Sequence, residues 1–186
     1  MTNQTGLRVR PAGLADARAI AALHADSWRR HYSGAYSDLF LDGDVGADRS
    51  QVWTTRLGAT DGKAATFVAE DEEALLGFIH VALDDDPAWG SLVDNLHVIY
   101  DRKRQRIGRR LMGEAARAVV EHGPGGLYLW VLEQNVNAQA FYEELGARCV
   151  ERALAAAPRG DPAHLNGMPA KLRYAWPEPA GLLQRQ

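Results

Sequence analysis

Six of the nine residues from Arg102 to Arg110 are Lys or Arg, with Gln105, Ile107 and Gly108 between them. Such a tract concentrates positive charge, and the chemistry it suits is holding an anion, most naturally a phosphate. Upstream, Leu92, Val93, Leu96, Val98 and Ile99 have the apolar, β-branched character of a largely buried strand. Downstream, Ile107, Leu111, Ala115 and Val119 recur every four residues and mark one face of a helix. A strand, a basic loop and a helix start therefore follow one another, and the positive end of the helix dipole reinforces the cations. A nucleic-acid patch or a solvated basic turn also fits. Against the former stand a net charge of -3 and a tract too short to follow a duplex.

The elements that must position this tract read in order along the chain. Leu7 to Arg10 alternates as a short strand and stops at Pro11. A helix follows, with Asp16 in its first turn and Ile20, Leu23 and Ser27-Trp28 on its inner face. Trp28, His31, Tyr32, Tyr36 and Phe40 then crowd a segment containing Gly and Ser. Trp28, Tyr32 and Tyr36 either line a ligand pocket or plug the end of a core, since such rings serve both roles. Asp48 to Leu57 predicts a second helix that turns Val52 and Trp53 inward. Ala65 to Ala69 and Leu75 to Leu83 predict a hairpin across the acidic turn that begins at Glu70. Asp84, Asp85 and Asp86 read as a solvated turn or as a lure for a cationic substrate.

Gly125-Gly126 closes the central helix region, and Leu127 to Leu132 predicts a central strand. Ala138, Phe141, Tyr142 and Leu145 shape a short amphipathic helix that Gly146 stops. Cys149 to Leu154 and Lys171 to Trp176 predict two last strands, separated by a long loop from Ala155 to Ala170 and followed by a tail. The sum is an α/β fold with a mixed, largely antiparallel sheet of about seven strands flanked by about four helices.

With 186 residues, 46% hydrophobic and 24% charged, the chain suits one globular domain, core about Leu7 to Trp176, rather than a disordered segment. Cys149 stands alone, so it forms no intramolecular disulfide, builds no metal site by itself and suits a reducing cytoplasm. The opening residues carry no apolar signal core and no stretch is long enough to span a bilayer. A cytoplasmic protein is expected, with no metal and no nucleic-acid or membrane partner.

Two regions resemble the GNAT superfamily of acetyl-CoA-dependent N-acetyltransferases, and the order of elements follows that family from Leu7 to about Trp176. The stretch from Leu129 to Ala147 is similar to its strand-then-helix signature: an Asn, an Ala three residues later, a Phe-Tyr pair, then Leu-Gly. Here these are Asn135, Ala138, Phe141, Tyr142, Leu145 and Gly146. The basic tract aligns with the family's pyrophosphate loop, which reads Gln or Arg, two residues, Gly, one residue, then Gly or Ala. The corresponding positions are Lys103, Arg104, Gln105, Arg106, Ile107 and Gly108. Only Gly108 is kept. Lys103 is a cationic stand-in for the first residue, and Arg106 replaces the middle Gly. That position is therefore expected to take a backbone geometry open to a β-carbon, its side chain turned away or onto a phosphate.

The resemblance implies acetyl-CoA as co-substrate and an amine acceptor that attacks directly in a ternary complex. It assigns the coenzyme to the amides of Arg104 to Arg109, to the main chain of Leu96, His97 and Val98, and to Asn135 and Ala138. Tyr142 matches the family's general acid, a phenol able to give its proton to the departing thiolate; otherwise it merely packs the helix. The base falls to Asp94, on the strand before the loop, where burial would raise the carboxyl's pKa. His97, His80 and Glu133 are alternatives, whereas Cys149 lacks an activating neighbour. A non-catalytic acyl-CoA-binding or regulatory module on the same fold is the competing reading, motivated by Arg106 and opposed by Tyr142. The acidic triplet and the aromatic cluster point to a cationic or aromatic amine, though a protein N-terminus or an antibiotic fits nearly as well. A homodimer is compatible with the resemblance, since many relatives form one.

Overall fold

The computed structural model describes residues 6–43, 45–72, 74–102 and 105–185. Among them, seven strands form one sheet in the order β1-β2-β3-β4-β5-β7-β6. They are β1 (Arg8–Pro11), β2 (Ala64–Glu70), β3 (Leu75–Asp86), β4 (Gly90–Val98), β5 (Leu127–Leu132), β6 (Arg148–Leu154) and β7 (Ala170–Trp176). Neighbours pair antiparallel except β4 with β5. That one parallel contact needs a crossover, which helix α4 (Ile107–His122) supplies. The other helices are α1 (Ala17–His31), α2 (Asp38–Asp42), α3 (Val45–Gly58) and α5 (Val136–Glu144). The α/β architecture read from the sequence is the one observed, with the five-residue α2 added inside the aromatic segment.

The strand period of two divides the sheet into faces. Leu127, Leu129 and Val131 of β5 and Tyr174 and Trp176 of β7 pack under α4 and α5. The helical stripe Ile107, Leu111, Ala115 and Val119 is buried against them, each larger side chain contributing roughly 1.5–3 kcal/mol. On the opposite face, Val68 and Phe78 meet Ile20, Ala21 and Leu23 of α1 and Trp53 of α3. A third cluster, Ala25, Trp28, Phe40, Leu41 and Val45, holds the end of α1 to α2 and α3.

Four local expectations are corrected. The acidic triplet is not a free turn: β3 runs through Asp86, and the reversal falls at Pro87 to Trp89. Asp84 meets His122 Nε2 at 2.9 Å, Asp85 accepts from the Tyr128 hydroxyl, and Asp86 accepts from the Ala88 and Trp89 N–H groups. These carboxylates are engaged within the fold rather than standing free in a turn. The last residues are not a loose tail, because a 3-10 segment, Pro179–Arg185, lays Leu182 into the core beside α4. Asp16 caps α1 rather than lying within it, bound by Arg10 at 2.8 Å. Helix α4 ends at His122 with Gly123 as its cap, before Gly125-Gly126.

Candidate active site

The ladder between β4 and β5 joins Ser91, Leu92 and Val93 to Leu127, Tyr128 and Leu129, then stops. Both strands continue, β4 to Val98 along β3 and β5 to Leu132 along β7. At the break Val93 faces Val81 and Asn95 faces His80, which leaves Asp94 as the extra residue of a β-bulge. A bulge bends its strand and ends pairing. Beyond it, where Leu96 and Val98 lie, no strand among the described residues pairs with the β5-facing edge of β4. An extended ligand fits such an edge as a surrogate strand.

At the far end of β4 the chain enters the basic tract. Lys103 and Arg104 lie outside the described residues. Arg106 is the N-cap of α4 at φ 61° and ψ 6°, in the left-handed region. The expected retreat to an ordinary conformation has not occurred: the arginine keeps a geometry that favours glycine, and a β-carbon there costs about 1–2 kcal/mol. Strain of this kind persists where surroundings impose it, often at ligand clamps. Gln105 and Arg106 are exposed, Ile107 is buried, and α4 begins at Ile107. The first-turn amides, Gly108 included, have no partner within the helix. Gly108 has a second duty. A Cβ there would stand 3.3 Å from Phe141 Cζ, so its absence lets α5 approach α4. Several cations of the tract are engaged: Arg102 with Asp71 at 3.7 Å, Arg109 with Glu144, and Arg110 with the Leu7 carbonyl at 3.1 Å.

The strand-then-helix motif folds as read. Asn135 is the N-cap of α5, its side chain accepting from Ala138 N–H at 3.3 Å. The motif's Asn and Ala are thus bonded to each other. Tyr142 is buried between Phe141 and Trp176, its ring edge-on to both at 5.4 and 6.1 Å. Burial alone pushes its phenol well above the usual tyrosine range, so it holds a proton throughout neutral pH. The Tyr32 phenol is also raised, by burial first and then by Tyr36, Tyr142 and Asp94 nearby. Tyr32 closes α1 on one face of the sheet and Tyr142 belongs to α5 on the other. Tyr142 is thus among the groups that raise the Tyr32 phenol, although the two come from opposite layers.

The aromatic cluster resolves into two roles. Trp28 is buried, stacked on Tyr32 at 5.4 Å and covered by the Arg49 guanidinium at 4.4 Å, which makes it a wall rather than a surface. Tyr32 and Tyr36 are partly exposed, their rings 4.9 Å apart. Burial lifts the Tyr36 phenol to about 12 despite the opposing pull of Arg49.

Of the carboxylates and imidazoles offered as a base, Asp94 is not buried. It is exposed at the bulge and ion-paired with Arg56 at 2.6 Å, and Arg56 also donates to Asn95 Oδ1 at 2.9 Å. His97 is buried with Nδ1 2.7 Å from Ser27 Oγ, on the side of α1. His80 is buried, bonded to Thr66 Oγ1 at 2.7 Å, and pushed down to about 4 by burial and then by Arg56. Glu133 is exposed and held below the usual range by its bidentate bond to Arg152. Asp94 alone of the four sits at the bulge where the β4–β5 ladder ends.

Sequence reading missed three features here. Arg56 lies one helical turn after Trp53, a spacing that was available. The loop between β6 and β7 had no local signal: Leu165 bridges Tyr36, His164 O accepts from Ser37 N–H at 2.9 Å, and Asn166 N–H donates to Ala35 O at 2.8 Å. His164 also stacks on Phe40 at 4.3 Å. Trp130, Lys171 and Arg173 come together only through the β5–β7 register.

The chain has relatives in sequence and in fold. Residues 20–147 match the model of the acetyltransferase (GNAT) family. The chain is 28% identical over 130 residues to the uncharacterised N-acetyltransferase YuaI of Bacillus subtilis, covering 68% of this chain and 72% of that one. It is 27% identical over 143 residues to the probable N-acetyltransferase Rv2775 of Mycobacterium tuberculosis, covering 75% and 79%. In fold it is similar to the PaiA N-acetyltransferase of Thermoplasma acidophilum, solved in complex with coenzyme A. The TM-score is 0.72 at 16% identity, over 92% of this chain and all of that one. Arabidopsis thaliana NAA60, solved with a bisubstrate analogue, aligns at a TM-score of 0.63 and 18% identity, over 91% and 97%. With a family match across well over half its length, the chain belongs to the GNAT family of acetyltransferases.

Proposed function

We propose that the chain moves the acetyl group of acetyl-CoA to a primary amine by direct attack within a ternary complex. The observation that carries this reading is the parting of β4 from β5 after Val93 and Leu129, at the Asp94 bulge, on the strand that leads to the start of α4. The residues fit the coenzyme: an open strand edge at Leu96 and Val98, helix-start amides with Gln105 and Arg106 beside them, and a protonated phenol. His97 is carried with the same strand segment, and Asn135 and Ala138 with the start of α5. The coenzyme supplies a thioester-activated acetyl group; the chain supplies alignment and proton control. Tyr142, neutral because it is buried, donates its proton to the departing thiolate. Asp94 receives the proton that the amine sheds, its carboxylate aimed by Arg56. Tyr32 and Tyr36 flank the acceptor.

The test is a calorimetric titration with acetyl-CoA followed by thiol detection across an amine panel. Saturable binding and amine-dependent thiol release are expected; no binding defeats the reading. Tyr142→Phe is expected to lower turnover ~100-fold at saturating amine, and unchanged turnover removes the acid role. Asp94→Asn should displace the acidic limb of the pH–rate profile; an unaltered profile moves the base to His97 or to water.

A further inference from the structure

Strand alternation turns Trp130, Lys171 and Arg173 away from the α4 side and toward the face that carries α1 and α3. The Trp130 ring lies between two cations, with Lys171 Nζ 4.1 Å and the Arg173 guanidinium 4.6 Å from its centroid. The two cations are not equivalent. Arg173 also covers Trp89 and Tyr128, and carboxylates stand near it, Glu151 at 3.2 Å and Asp86 at 4.0 Å. Among the described residues no carboxylate lies within ion-pair distance of Lys171. Its amine is held below the usual lysine range by burial and then by Arg173, with Glu151 a weaker opposing influence. An ammonium offers three N–H donors, and a ring face satisfies its charge only in part. Lys171 is thus a partly buried cation seated on a ring, with donors free to meet an anion.

Its position says which anion. Lys171 stands opposite Leu132, the last residue of β5, and Glu133 N–H bonds Ala170 O at 2.9 Å beside it. This is the sheet end at which β4 and β5 part. The Gln134 side chain reaches the Ser33 carbonyl at 3.1 Å, drawing the end of α1 to the same place. The loop preceding Lys171 is fastened to Ala35, Tyr36 and Ser37.

We infer that Lys171, seated on Trp130, anchors a carboxylate of the acceptor, so that the acceptor is an amine that also carries an acid, amino-acid-like rather than a simple amine or a polyamine. This rests on the acetyl-transfer reading above and specifies its second substrate. The acidic triplet is compatible with it, since such an acceptor carries an ammonium as well as an acid.

The test pairs phenylalanine and leucine with their amides, which keep the amine and lose the acid. With acetyl-CoA supplied, K171M should raise KM for the acids about tenfold more than for the amides, and K171R should keep the preference. Acid KM values unchanged in K171M, with the amides used equally well, overturn the inference while leaving acetyl transfer standing. If neither series releases thiol, the transfer reading fails for these amines and calorimetry in the presence of coenzyme A decides the anchor. Phenylalanine or leucine bound about tenfold more tightly by the parent than by K171M supports it; equal affinity, or none, sinks it.

Discussion

At the scale of single residues, Arg106 separates stability from ligand binding. Its left-handed backbone is a conformation glycine adopts without cost. Arg106→Gly should therefore raise unfolding stability by about 1 kcal/mol, seen as a Tm a few degrees higher. If the exposed guanidinium also meets a phosphate, the same variant should bind acetyl-CoA more weakly. Opposite signs in the two measurements would identify a residue kept for the ligand; equal signs would make it a strained relic. The substitution itself was plain in the sequence, but its geometry was not. A side chain's identity does not say whether the backbone yields to it, and here α4 and the loop impose the turn.

At the scale of elements, the motif helices and every strand were legible, because burial on one face writes a period of 2 or 3.6 into the residues. Ile107, Leu111, Ala115 and Val119 are buried as their spacing predicts. The bulge at Asp94 was not legible, since it depends on which residue of β3 stands opposite, and neither was the pairing of Trp130 with Lys171. Those are matters of register between segments far apart in sequence. Register also explains a fragile point. Gly90 (φ 86°) begins β4 packed directly on the Gly126 backbone. Gly90→Ala should cost ~3 kcal/mol or more in chemical unfolding, because a β-carbon there meets main chain that cannot rotate away.

At the scale of the whole molecule, histidines buried between the sheet and α1 and α3 set its acid tolerance. His24 accepts the Trp53 indole N–H at Nδ1, 3.0 Å away, and its ring lies 4.6 Å from that of His97. Burial, and then His97, drives its pKa well down, and His80 falls to about 4. The unfolded chain takes up these protons near pH 6.5, while the folded one resists them. Stability should be full above pH 6.5 and fall as pH drops toward 4, by roughly 3 kcal/mol or more at pH 4.5. Urea midpoints at pH 7.5 and 4.5 check this, and a flat profile would mean the imidazoles find water or an acid partner. The sequence showed six histidines without indicating which were enclosed. Likewise the C-terminal turn had too few apolar residues to advertise that Leu182 completes the core.

The three rungs joining β4 to β5 have one more consequence. They are the narrowest hydrogen-bonded tie in the sheet between β1–β4 on one side and β5, β7 and β6 on the other. Under mechanical load that tie is a seam, and a ligand lying in the gap as a surrogate strand would carry force across it. Pulled apart with grips on β2 and β6, the molecule should yield first at this seam, and at a higher force when acetyl-CoA is bound.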